Sequence, residues 1–144
     1  MTTNLTSTKE AYEYALSLLA RREHFVRELE TKLLMKGAPS TVVEEVTARL
    51  TQEHYLDDRR AAEQFILEGK RKKKGLLKLL NELRLRGVET TAEELRNLYP
   101  REEEKQNAVV LLTKLRGATR QKRYRHLYNR GFSSDIIREL LPFS

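Results

Sequence analysis

The chain has no cysteine and no tryptophan, and its 144 residues include only six glycines and three prolines. Without thiols there is no disulfide, no thiolate nucleophile and no cysteine-based zinc or iron–sulfur site. So little glycine and proline argues against a turn-rich β architecture. No apolar run approaches the roughly 18 residues that a membrane-spanning helix needs. The opening residues, MTTNLTST, have neither the basic start nor the apolar core of a secretory leader. The expectation is a soluble, cytoplasmic protein. Marks of chemistry are missing too. His24, His54 and His126 stand alone, in no metal-ligand spacing, and read as lone surface residues. No G-x-S-x-G elbow and no G-x-x-x-x-G-K-[ST] phosphate loop occurs. We therefore expect no enzyme, no cofactor, no metal site and no small-molecule ligand.

What remains is helical. Hydrophobic residues make up 39% of the chain and charged residues 34%, with ten aromatics, which suits thin helical packing better than a thick sandwich. Apolar residues recur at helical spacing from residue 8 onward. Tyr12, Leu16 and Leu19, with Ala11, Ala15 and Leu18 beside them, predict a first helix; Val26, Leu29 and Leu33 predict a second. Val42, Val46 and Leu50 mark a third, Ala61, Ala62, Phe65 and Ile66 a fourth, and Leu76, Leu80 and Leu83 a fifth. Ala92, Leu95 and Tyr99 predict a short sixth, and Ala108, Leu111, Leu112 and Leu115 a seventh. Tyr124, Leu127 and Tyr128, then Ile136, Ile137 and Leu140, complete nine. The fold class is all-α.

A recurring junction groups these helices in threes. Gly37, Gly87 and Gly131 follow Lys36, Arg86 and Arg130. A glycine just past a helix end can turn left-handed and satisfy the last carbonyls, while the preceding cation suits the negative end of the helix dipole. Leu33, Leu83 and Leu127 lie four residues earlier, and Ala38, Val88 and Phe132 one residue later. Three residues past each glycine, Ser40, Thr90 and Ser134 are candidate N-caps, and Thr90 with Glu93 has capping-box spacing. The period is 44 to 50 residues. The expected architecture is three tandem three-helix repeats, residues 8–56, 57–100 and 101–144, behind a frayed N-terminus, residues 1–7. Units this small bury little alone and lean on neighbours. The short joints, His54–Leu56 and the Tyr99–Pro100 region, favour an elongated, curved array, and a monomer is expected.

Charge is unevenly placed. Residues 1–68 hold 9 basic and 12 acidic side chains, net −3, whereas residues 69–144 hold 19 and 9, net +10. That asymmetry points to a polyanionic partner for the second half. Lys70, Arg71, Lys72, Lys73 and Lys74 form a cationic run between Gly69 and Gly75. Five neighbouring cations need solvent or anions around them, so the run reads either as a phosphate-facing element or as a solvated turn. Arg120, Lys122, Arg123, Arg125 and Arg130 line a second basic helix. Its Tyr124 and Tyr128 could stack on bases, but a spacing of four beside Leu127 places them in the core. Asp57 and Asp58, and Glu102–Glu104, read as helix starts in which carboxylates cap or meet the positive end of the dipole.

The order of motifs resembles the RecX family. The matching residues are Leu16, Leu19 to Arg22, Glu28, Leu29, Leu33, Lys36 and Gly37 near the front. Tyr55–Asp58, Lys74, Gly75, Glu82, Leu83 and Arg86–Val88 follow, then Arg130–Ser133, Ile136, Ile137 and Leu140. Two departures are local: Phe25 stands where the family has an N-cap serine, and Leu76 where it often has proline after Lys-Gly. The resemblance implies tandem three-helix units and a regulator that binds the RecA filament on single-stranded DNA. It implies inhibition of the recombinase, ATPase and coprotease activities of RecA, and so a modulating role in DNA repair. A helix-turn-helix-like transcription regulator is the alternative, but no helix offers a compact set of Arg, Asn and Gln base readers.

Circular dichroism and small-angle scattering test the architecture. The spectrum should be strongly helical and the scattering profile that of an elongated monomer; a sheet-rich spectrum or a spherical profile contradicts it.

Overall fold

The computed structural model describes residues 5–142, and among them there are nine α-helices and no strand. They are α1 (Thr8–Leu19), α2 (Val26–Met35), α3 (Ser40–Gln52), α4 (Asp58–Arg71), α5 (Leu76–Leu85), α6 (Ala92–Leu95), α7 (Arg101–Thr113), α8 (Arg120–Asn129) and α9 (Ser134–Leu140). The chain packs as two compact units that divide between Ala62 and Glu63, inside α4.

The first unit is built on α1, α2 and α3. Its centre is Leu29 and Leu33 from α2 and Val43, Val46 and Leu50 from α3, closed by Ala38 and Leu56. On α1 the fully buried residues are Ala11 and Ala15, whereas Tyr12, Leu16, Leu18 and Leu19 are half-buried around them. Alanine lets helix backbones approach closely, so the larger side chains pack along the flanks. Of the expected frayed segment, residues 1–4 lie outside the described residues, but residues 5–7 are fastened. Leu5 is buried, and its amide donates to the Lys36 carbonyl at 3.0 Å. Ser7 Oγ accepts from the Glu10 amide at 3.1 Å and caps α1.

The second unit contains the rest of α4 and α5–α9. Leu76, Leu79, Leu80 and Leu83 are buried along α5. Gly69 on α4 faces Leu79, whose side chain fills the place of a Cβ. Ala108 and Leu111 of α7, Leu127 of α8 and Ile136 and Ile137 of α9 form a further core with Phe132 and Leu141.

The repeated glycines do what their sequence position predicts. Gly37, Gly87 and Gly131 have φ of 88°, 86° and 93°. Behind each, the amide of the residue after the glycine bonds back across a full turn: Ala38 to Leu33, Val88 to Leu83 and Phe132 to Leu127, at 3.0–3.1 Å. The glycine amides bond to Leu34, Arg84 and Tyr128 at 3.0 Å, completing the paired closure that satisfies two orphan carbonyls. The next helices start one residue away from the expected caps. Pro39 precedes α3, Thr91 rather than Thr90 caps α6 through the Glu94 amide, and Ser133 rather than Ser134 caps α9. The capping hydroxyl must sit outside the first helical residue, and Ser40 and Ser134 already have helical geometry.

The paired aspartates divide their work. Asp57 Oδ1 accepts from the Arg59 and Arg60 amides at 3.0 and 3.2 Å and caps α4. Asp58 Oδ1 instead accepts from the Val26 amide at 2.8 Å, at the start of α2. It serves the helix whose own cap position holds Phe25, a residue with no acceptor to offer.

His24, expected at the surface, is buried at 2% exposure. Its Nδ1 lies 3.1 Å from the Arg22 carbonyl and its Nε2 3.0 Å from Lys32 Nζ. The ammonium can only donate, so Nε2 is an acceptor and Nδ1 carries the proton. Burial is the largest cause holding the imidazole pKa below 6.5; the Arg22 and Lys32 charges add to it, and the bond to the Arg22 carbonyl opposes it. A depressed histidine pKa means that stability is fully present above pH 6.5 and is lost as pH falls through the lower folded value. Wild type should therefore melt above a His24→Gln variant at pH 7.5, and the gap should narrow toward pH 5. A gap that stays constant across that range would show that folding leaves the protonation of His24 unchanged.

Candidate nucleic-acid interface

Nearly everything around the lysine run in the second unit serves to fix its backbone. The α5 amides that lack intrahelical partners find them in later helices. Gly75 donates to the Arg130 carbonyl at 2.8 Å and Leu77 to the Gly131 carbonyl at 3.1 Å. Leu76 donates to Glu104 Oε2 at 2.7 Å. Glu104 is fully buried and also pairs with Arg96 at 2.7 Å. Tyr99 is buried as well; its hydroxyl donates to the Lys74 carbonyl at 2.8 Å and accepts from Asn107 Nδ2 at 2.9 Å. Burial pushes that phenol up to about 12, so it remains a donor. Arg130 Nη2 donates to the Lys72 carbonyl. The turn at residues 72–74 is thus tied to α7, α8 and the α8–α9 turn.

The five cations of the run part ways on this frame. Lys70 turns inward: its side chain is 16% exposed, bonded to the Leu98 carbonyl at 2.8 Å and paired with Glu103 at 2.6 Å. Lys74 is half-buried, 3.3 Å from Glu82, with its ammonium over the Phe65 ring. These two anchor structure. Arg71 and Lys72 are exposed and share Glu68 at 2.6 and 3.6 Å. Lys73 has no ion pair among the described residues, and it closes α4 in the left-handed conformation, φ 62°.

On the second segment, Arg120 Nη2 reaches the Leu141 carbonyl at 2.6 Å, beside a hollow of about 610 Å³ lined also by Gln121, Tyr124, Ser134 and Arg138. Lys122 and Arg125 are exposed, while Arg123 and Arg130 are half-buried. The tyrosines are not both core. Tyr124 packs against the α7–α9 core, but Tyr128 is 62% exposed, its ring stacked on that of Tyr124 at 6.5 Å. Leu127 already fills the inward position, and the residue that follows it points away.

Part of each basic segment meets in one place. Arg71, Lys72 and Lys73 from the end of α4 and Arg130 just past the end of α8 line a cleft of about 510 Å³, joined by Lys114, His126, Leu111 and Leu115. Lys70, Lys74, Arg120, Lys122, Arg123 and Arg125 do not line it. Lys114, His126 and the two leucines escaped the sequence reading. The signal available was spacing: Lys122, His126 and Arg130 fall at i, i+4 and i+8, on one face of α8. No group of three or more metal-ligating side chains is gathered among the described residues, and none of their helices is long and apolar enough to cross a membrane.

Residues 11–50 match the family model of the RecX first three-helix domain, and residues 102–141 that of the RecX third three-helix domain. Over 142 residues the chain is 36% identical to the regulatory protein RecX of Chlorobium phaeobacteroides, covering 94% of both chains. The chain belongs to the RecX family. The regulatory protein RecX of Prosthecochloris aestuarii is a similar relative, 37% identical over 140 residues and 93% of both chains. The crystal structure of RecX from Lactobacillus salivarius shares the fold, with a TM-score of 0.81 over 92% of this chain and 93% of that one, at 23% identity. These relatives carry the name of regulatory proteins.

The α8–α9 turn that holds Arg130 depends on Gly131. A Cβ there would collide with the Lys78 backbone and side chain, whereas one on Gly117, at φ 85°, would meet open space. Either glycine changed to alanine costs on the order of 1–2 kcal/mol for the left-handed backbone. Gly131→Ala should cost clearly more, because the turn must also move away from α5. Thermal melts of the two variants check this; equal shifts would mean that the turn is not held against α5.

Proposed function

We propose that this RecX-family chain binds RecA filaments on single-stranded DNA and suppresses their recombinase, ATPase and coprotease activities, restraining DNA repair at the recombination step. It does so as a monomeric cytoplasmic protein, by occupancy and not by chemistry of its own. Family membership supports the partner. The observation that carries the nucleic-acid side is the convergence of two basic segments, represented by Arg71–Lys73 and by Arg130, 57 or more residues apart in sequence, on one cleft. A nucleoprotein filament presents protein and phosphate together, and the net charge of +10 over residues 69–144 supplies a field that draws a polyanion.

Steady-state ATP hydrolysis by RecA on single-stranded DNA, followed against protein concentration at two salt levels, tests the proposal. The wild-type chain should slow hydrolysis. Lys72→Gln with Lys73→Gln should weaken the effect most at low salt and flatten its salt dependence, by about 0.7 in log–log slope for each phosphate no longer neutralised. Lys74 is left in place because its pairing with Glu82 is structural. Hydrolysis unaffected by excess wild-type protein would refute the assignment.

A further inference from the structure

We infer that the cleft between α4, α7 and α8 is itself a site for single-stranded nucleic acid, holding a phosphate on its cationic rim and the attached base on its leucine floor. The inference deepens the nucleic-acid side of the function proposed above, and it needs only the second unit.

The lining combines cationic with apolar side chains. Arg71, Lys72, Lys73, Lys114 and Arg130 supply positive charge, Leu111 and Leu115 supply the floor, and no carboxylate lies among the lining residues. A volume of about 510 Å³ accommodates a nucleotide but not the width of a duplex, whose grooves and stacked bases stay outside so shallow a recess. A base can touch the floor only after it leaves the stack, which a single strand permits at little cost. An acidic peptide matches the charge yet brings no flat apolar group on the same residue. The stripe of Lys122, His126 and Arg130 along α8 continues the rim for flanking phosphates.

One side chain is left unspent where a ligand would use it. Lys73 occupies the left-handed helix-end position that Gly37, Gly87 and Gly131 fill elsewhere. Its amide and that of Lys74 make the same paired closure, to the Lys70 and Gly69 carbonyls, both at 3.0 Å. Glycine would serve that geometry better. What lysine adds is a cation at the edge of the cleft, and it is the member of the run without an ion pair among the described residues. Arg130 donates Nη2 to the Lys72 carbonyl, which fixes its guanidinium beside the cleft.

Fluorescence anisotropy of the full chain without RecA tests the site, using labelled oligothymidylate, an abasic strand of the same length, a duplex and poly-glutamate. Lys73→Gly with Lys114→Gln removes two rim cations while easing the α4 end, so the melting temperature should hold or rise. Its affinity for oligothymidylate should fall by about tenfold or more at low salt, as expected when phosphates go unneutralised. Lys9→Gln with Arg27→Gln, the same charge change on exposed residues of the first unit, should bind like wild type. The abasic strand and the duplex should bind more weakly than oligothymidylate. The site is overturned if the rim variant binds like wild type, if the first-unit control loses as much as the rim variant, or if the abasic strand, duplex or poly-glutamate binds as tightly as oligothymidylate. RecA is absent throughout, so those results leave the hydrolysis experiment to stand or fall separately.

Discussion

A carboxylate lent by a later helix closes the start of the middle helix in the first two repeats. Asp58 of α4 takes the Val26 amide of α2, and Glu104 of α7 takes the Leu76 amide of α5. In both cases the first helical residue is served, and the residue before it, Phe25 or Gly75, has no side-chain acceptor. A buried amide left without a partner costs about 1–3 kcal/mol, so each middle helix depends on the helix that opens the next repeat. In the third repeat the middle helix is closed locally: Thr119 caps α8 itself, accepting from the Lys122 amide at 3.1 Å.

Glu104 shows how far this dependence goes. A carboxylate at 0% exposure is costly unless fully matched, and here Leu76 N–H occupies one oxygen and Arg96 the other. Once Glu104 is fixed, α5 is fixed. With it come the Gly75 and Leu77 bonds to the α8–α9 turn, and the approach of Arg130 to Lys72. The cationic turn is therefore presented by a hydrogen-bonded frame. For the phosphate site proposed above, a frame of this kind would leave little ordering to be done on binding.

Much of this was legible in the sequence, and the rest was hidden for a definite reason. Gly37, Gly87 and Gly131 announced the repeat because a left-handed helix end is a local requirement, answered within six residues of chain. Apolar spacing found the helices for the same reason. What depends on distant residues could not be seen. Asp58 reads as a local cap, and only packing reveals that it serves Val26, 32 positions earlier. His24 reads as a surface residue until Lys32 and the Arg22 carbonyl enclose it. Lys70 reads as one of five equal cations, although Glu103 and the Leu98 carbonyl draw it inward. Tyr128 shares the spacing of core residues, yet Leu127 holds the inward place. The cleft unites residues from three helices, and Lys114 had no local feature to single it out.

The run of cations is best understood as graded. Lys70 and Lys74 pair with Glu103 and Glu82 while half-buried and tied to backbone or aromatic partners, so they stay when a polyanion arrives. Arg71 and Lys72 share the exposed Glu68, whose carboxyl the Arg71 bond holds below the usual carboxylate range. Exposed pairs of this kind are worth little and weaken with salt, so Glu68 holds neither cation firmly. Lys73 needs no exchange at all. Five adjacent charges thus resolve into two that build the frame, two that can be recruited and one that stands ready, and the grading follows from where each acid lies in the fold.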